Sequence, residues 1–184
     1  GSYLSSGIDT FQTTKWISKP SNHKQYLKAV HLLELFRRGQ LKTSQVFDVE
    51  KLAKFFALTD LMGAEHGSRW HNARFYYNPI TSKLQPIGFD GNAGQPVRSL
   101  CATINGNYLG NHASQIGHSY YARVFYDETF FRRYVKALNR ISEPAYLDNL
   151  FASLDVNLAI NLNILKSEFF RPHFSKKVYR ENQE

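Results

Sequence analysis

The stretch His71-Asn72-Ala73-Arg74-Phe75-Tyr76-Tyr77-Asn78-Pro79-Ile80-Thr81-Ser82-Lys83-Leu84-Gln85-Pro86-Ile87-Gly88-Phe89-Asp90 decides the fold. Residues 73–77 and 84–89 are short apolar and aromatic runs without helical periodicity. The Asn-Pro opening and polar body between them read as a hairpin loop. In an antiparallel pair, positions equidistant from the loop centre lie opposite one another. With that centre near Thr81, Asn72 and Asp90 are expected to meet at the open end of the hairpin, an amide oxygen beside a carboxylate.

Outward from the hairpin the pattern is helical. From His23 to Arg38 the apolar residues Tyr26, Leu27, Val30, Leu33 and Phe36 return at steps of three and four, as on one helix face. A second helix is predicted after Asp48, an effective N-cap, and runs to about Met62 before Gly63 stops it. Residues 91–126 are rich in Gly and Asn, so a long loop region with a turn at Asn105-Gly106 and at most one short helix is expected. Helical periods resume at about 127–141, 144–153 and 155–169, with Pro144 interrupting and Pro172 closing. The predicted fold is a mainly helical α+β domain around a small antiparallel hairpin. It is divided as an irregular arm at 1–22, the domain at 23–170 and a basic tail at 171–184.

The composition supports one globular core. The 184 residues are 42% hydrophobic, 15% aromatic and 21% charged, which disfavours disorder and collagen, and no apolar run is long enough for a membrane span. The single cysteine, Cys101, excludes a disulfide scaffold without fixing a compartment. Gly1-Ser2 without a preceding Met read as the remnant of a cleaved tag, which predicts excision from a longer protein. The formal net charge is +8, yet the excess is spread over both halves with no basic block longer than a pair. Nucleic acid is accordingly disfavoured as a partner, and a solvated basic surface is the better reading.

An Asn carbonyl and an Asp carboxylate side by side suit a hard divalent cation, which keeps much of its water and takes few protein ligands. An Asn, a short hairpin and a metal-binding Asp is the order found in protein-kinase sites. The plain alternative is that both residues cap turns.

The segments Phe47 to Gly63, His71 to Pro79 and Gln85 to Gly94 together resemble the core of the CotH family, the spore-coat protein H-like atypical kinases. The specific elements are an Asp-initiated helix carrying Leu52-Ala53, the His71-Asn72 pair before a Tyr-rich strand, and Asp90 after Pro86. The match covers about residues 45–95, with weaker similarity at 127–169. The resemblance implies that Asn72 and Asp90 bind Mg²⁺ or Mn²⁺, that His71 and Asn92 adjoin the ATP phosphates, and that phosphate passes to a protein hydroxyl. It also implies an extracellular or cell-envelope location, with a protein substrate or an envelope partner. Two departures stand out. The catalytic Asp expected before His-Asn is missing, leaving Glu65 as the candidate acid or base, and Asp90 is followed by Gly91 and Asn92 where the family pairs acids. The domain at 23–170 would by this resemblance be a kinase-like large lobe, and the residues before the first helix are too few for a small lobe. A catalytically inactive kinase-like binding or structural module is the alternative.

Other chemistries are weaker. His66, His71, His112 and His118 with Asp90 lack the spacing of a zinc hydrolase, and no His-Glu-x-x-His occurs. His71 is expected instead to orient Asn72 by a hydrogen bond. Ser68 lies outside a nucleophile-elbow pattern. Phe75, Tyr76, Tyr77 and Phe89 read as core, and Arg132, Arg133, Lys136 and Arg140 read as a solvated helix face.

Overall fold

The computed structural model describes residues 7–103, 120–169 and 174–184. Its elements, in chain order, are α1 (Thr13–Ile17), α2 (Pro20–Arg37), α3 (Thr43–Val46), α4 (Val49–Leu61), α5 (Glu65–Ser68), β1 (Arg74–Asn78) and β2 (Lys83–Ile87). A 3₁₀ turn (Cys101–Thr103) precedes α6 (Tyr120–Phe125), α7 (Glu128–Ile141), α8 (Pro144–Glu168) and α9 (Lys177–Gln183). The architecture is mainly helical α+β with one two-stranded antiparallel sheet. Among the described residues no helix is long and apolar enough to cross a membrane.

The core is built on α4 against α7. Asp48 caps α4 by accepting from Lys51 N at 3.2 Å, which turns Leu52, Ala53, Phe56 and Ala57 inward at helical spacing. Asp127 caps α7, accepting from Thr129 N at 2.9 Å and Phe130 N at 3.5 Å, and it also reaches across to Ser44 N at 2.7 Å. Between the two helices Phe56 meets Phe125 and Phe130 edge-on, with ring centroids 5.2 and 5.9 Å away. Edge-to-face contact of this kind adds to the energy of burial itself.

The hairpin is anchored on the segment that leads into α4. Leu84 is buried, Asp48 N donates to Leu84 O at 2.9 Å, and Phe75 packs on Phe47 at 5.1 Å. The register runs from Arg74↔Ile87 to Asn78↔Lys83, one residue away from the expected pairing. The cause is the loop. Asn78 Oδ1 accepts from Ile80 N at 2.9 Å and Ser82 takes a left-handed backbone (φ 53°), so four residues close the turn and its centre falls between Ile80 and Thr81. Continued past the strand ends, this register sets Asp90 level with His71 and Asn72 level with Phe89.

Three further expectations change. The arm at 1–22 contains α1, and α2 starts three residues early at Pro20, whose fixed φ and missing N–H suit a first helical position. Residues 144–168 form one continuous 25-residue helix. The basic tail folds as α9 and docks back: Asn182 Nδ2 donates to Leu61 O at 3.1 Å, Gln183 Nε2 to Ile141 O at 2.7 Å, and Arg180 pairs with Asp148 at 2.7 Å. Asn105-Gly106, His112, His118 and Pro172 lie outside the described residues.

Candidate functional site

The open end of the hairpin is organised by the chain that leaves β2. Residues 89–95 cross the end of α4 and the face of α5, and two glycines make room for them. A Cβ on Gly67 would stand 2.4 Å from Phe89 O and 2.9 Å from Gly91 Cα. At Gly63 (φ 58°) a Cβ would stand 1.8 Å from Gln95 O, and Met62 O accepts from Gly94 N at 2.7 Å nearby. Only glycine permits so close a crossing of backbones.

This crossing brings Asp90 over α5. Its Oδ2 lies 3.3 Å from His66 Nε2, and Asn72 Nδ2 donates to the carbonyl of the same His66 at 3.1 Å. His66 is thus the shared support of the two expected metal-site residues. The His71 ring stands edge-on to the His66 ring at 6.1 Å, and the His71 carbonyl accepts from Arg74 at 3.1 Å. Asn72 is therefore held by the His66 backbone, and not by the His71 side chain as expected. Asp90 and Asn92 both take left-handed backbones (φ 47° and 49°). Asp and Asn tolerate that region better than most residues, and such departures gather at functional sites.

Glu65 points elsewhere. Its Oε1 accepts from Arg69 Nε at 3.0 Å and Nη2 at 2.9 Å, an i,i+4 pair along α5 and the following residue. Of the aromatic residues expected in the core, Phe75 and Tyr77 pack against it. Tyr76 and Phe89 face outward, and Arg74 lies 5.0 Å from the Phe89 ring centroid. The basic face of α7 is partly neutralised: Arg132 pairs with Glu128, and Arg133 reaches Glu50 at 3.0 Å.

Beneath α5 lies a buried polar network that the sequence reading missed. Ser68 Oγ donates to Glu65 O at 2.8 Å and shares a 2.7 Å hydrogen bond with the Tyr121 hydroxyl. Asp60 accepts from Cys101 N at 2.8 Å through Oδ1 and from Tyr134 at 2.5 Å through Oδ2. Burial pushes the Asp60 carboxyl above its ordinary range, against the opposing effect of the Tyr134 and Cys101 hydrogen bonds. Burial likewise raises the Cys101 thiol, helped by the nearby Asp60 charge, so this cysteine is no reactive thiolate. The network fastens α5 to α4, α6 and α7 and so fixes the platform that carries His66. Its signal was available in the sequence: Asp60 lies four residues after Phe56, on the apolar stripe of α4.

The chemistry open to the mouth follows from its donors. The Asn72 hydrogen bond uses the amide nitrogen and leaves the carbonyl oxygen, the atom a hard cation takes. Asp90 likewise has its second oxygen beyond the His66 contact. Among the described residues no three His, Cys, Asp or Glu side chains are grouped to hold a metal ion. No protein-family model, curated protein or solved structure matches the chain.

Proposed function

We propose that the hairpin mouth is the cation and nucleotide site of a kinase-like protein resembling the CotH family, whose parent transfers the γ-phosphoryl group of ATP to a protein hydroxyl. The observation that carries this reading is the convergence on His66 of the Asn72 amide and the Asp90 carboxylate. Bound Mg²⁺ or Mn²⁺ would supply charge neutralisation at the phosphates. Asn72 and Asp90 would hold the ion through oxygen, and His66 would fix both side chains before it arrives, so that little ordering is left for binding. His71 and Asn92, both exposed, would meet phosphate oxygens in this reading. An extracellular or envelope location accompanies the resemblance.

A second reading, a kinase-like module that binds without transfer, is favoured by the Glu65–Arg69 ion pair. That carboxylate is already engaged by Arg69 Nε and Nη2, whereas a general base must lie within hydrogen-bond reach of the proton it takes. The two readings separate in an assay with γ-labelled ATP, Mn²⁺ and a mixed protein substrate, run beside a binding titration. Transfer lost in Glu65→Gln supports the enzyme. Binding without transfer supports the module. Neither binding nor transfer removes the proposal.

A further inference from the structure

The first turns of α8 enter the core through Leu147 and Phe151, but the rest of the helix carries Val156 at 74% exposure and Ile160 and Ile164 at 53% each. These three residues are spaced by four and line one face. An apolar strip of this kind on a long helix ordinarily has a partner. The sequence is partly symmetric about Ile160: Leu158/Leu162, Asn157/Asn163 and Ser153/Ser167 are identical pairs and Val156/Ile164 a similar one, whereas Ala159/Asn161, Asp155/Leu165 and Leu154/Lys166 differ.

We infer that this half of α8 pairs antiparallel with the same helix of a second copy, about a two-fold axis level with Ile160. In that arrangement each residue meets the one equally far beyond Ile160 on the other helix. Ile160 meets its own copy, Val156 meets Ile164, and Ser153 meets Ser167. At these positions, which lie on the contact face, the pairing is self-consistent in size and polarity. Large β-branched residues fill the middle, and serines at both ends let the helices approach. Both serine hydroxyls already donate to their own helix, Ser153 to Leu150 O and Ser167 to Ile164 O, each at 2.7 Å. They therefore carry no unmet hydrogen bond into the contact. Electrostatics point to the same occupant. The chain bears a net charge of +8, yet residues 156–165 contain no charged side chain, so two copies meet there without like-charge contact.

Residues 153–167 span only about 22 Å, less than is needed for the roughly 800 Å² per partner of a standard interface. The dimer is accordingly weak and concentration-dependent. Sedimentation equilibrium should show the mass rising from that of the monomer toward twice that value as the concentration goes from about 10 µM to about 1 mM. Ile160→Asp, which sets two carboxylates on the axis, should hold the chain monomeric throughout while its circular dichroism is unchanged. Ile80→Asp, at the exposed hairpin tip, should dimerise as the wild type does. Under mild oxidation Ile160→Cys should cross-link to itself, since the native Cys101 is buried, whereas Ile164→Cys alone should not. A wild type that is monomeric at every concentration would overturn the inference and leave the strip to a different protein. So would association that survives Ile160→Asp, or equal cross-linking at both positions.

Discussion

His66 supports Asp90 and Asn72 at once: its Nε2 stands 3.3 Å from Asp90 Oδ2, and its carbonyl accepts from Asn72 at 3.1 Å. The relationship depends on the close passage of residues 89–91 over α5, so the site is sensitive to changes in backbone spacing well away from its polar atoms.

Gly67→Ala tests that passage. The added methyl would lie 2.4 Å from Phe89 O, and the crossing segment must move. A loss of about 1–3 kcal/mol, read as a lowered Tm, is expected together with weakened Mn²⁺ binding. Unchanged stability would show that the crossing is looser than described.

The hairpin, the cap at Asp48 and the stop at Gly63 were legible because each rests on a local preference of backbone or side chain. The register was not, since it turned on whether Ser82 would adopt a left-handed backbone, and that single residue moved every pairing by one. The direct pairing expected of Asn72 and Asp90 is replaced by a link through His66, which arises from the crossing of 89–95 over α5, a tertiary event. Glu65 shows a different limit. Arg69 four residues later is the local signal of a helix ion pair, and the structure forms that pair. Asp60, a carboxylate on the apolar stripe of α4, did carry a signal of the buried network, whereas α9 was concealed by its short amphipathic period.

Asp127 makes a pH prediction. Burial alone would raise its carboxyl, but hydrogen bonds from Ser44, Phe130 and Thr129 outweigh this and hold it below its ordinary value of 3.8. Its contribution is therefore present above that ordinary value and lost as pH falls through the native one. Asp127→Ala should cost about 1–2 kcal/mol at neutral pH and much less in acid. Urea unfolding of both forms from pH 7 down to pH 2 measures the difference.

Asp60 has the opposite sign. Burial raises its carboxyl, so the folded protein keeps that proton to higher pH than the unfolded chain does. The associated stability is present below the ordinary value of 3.8 and lost as pH rises through the native one. Asp60→Asn should thus gain stability relative to wild type between pH 4 and pH 8. Tyr134→Phe, which leaves a carboxylate oxygen without its donor, should cost about 1–3 kcal/mol and more at pH 8 than at pH 4. Parallel pH dependence of Asp60→Asn and wild type would contradict this account.

The central claim is tested most directly by titrating Mn²⁺ with ATP into the wild-type chain and into Asp90→Ala and Asn72→Ala, with bound Mn²⁺ followed by electron paramagnetic resonance. The account predicts that the wild type immobilises Mn²⁺ in the presence of ATP and that each variant weakens binding by about tenfold or more, which is about 1.4 kcal/mol. Equal Mn²⁺ affinity in all three proteins would contradict it.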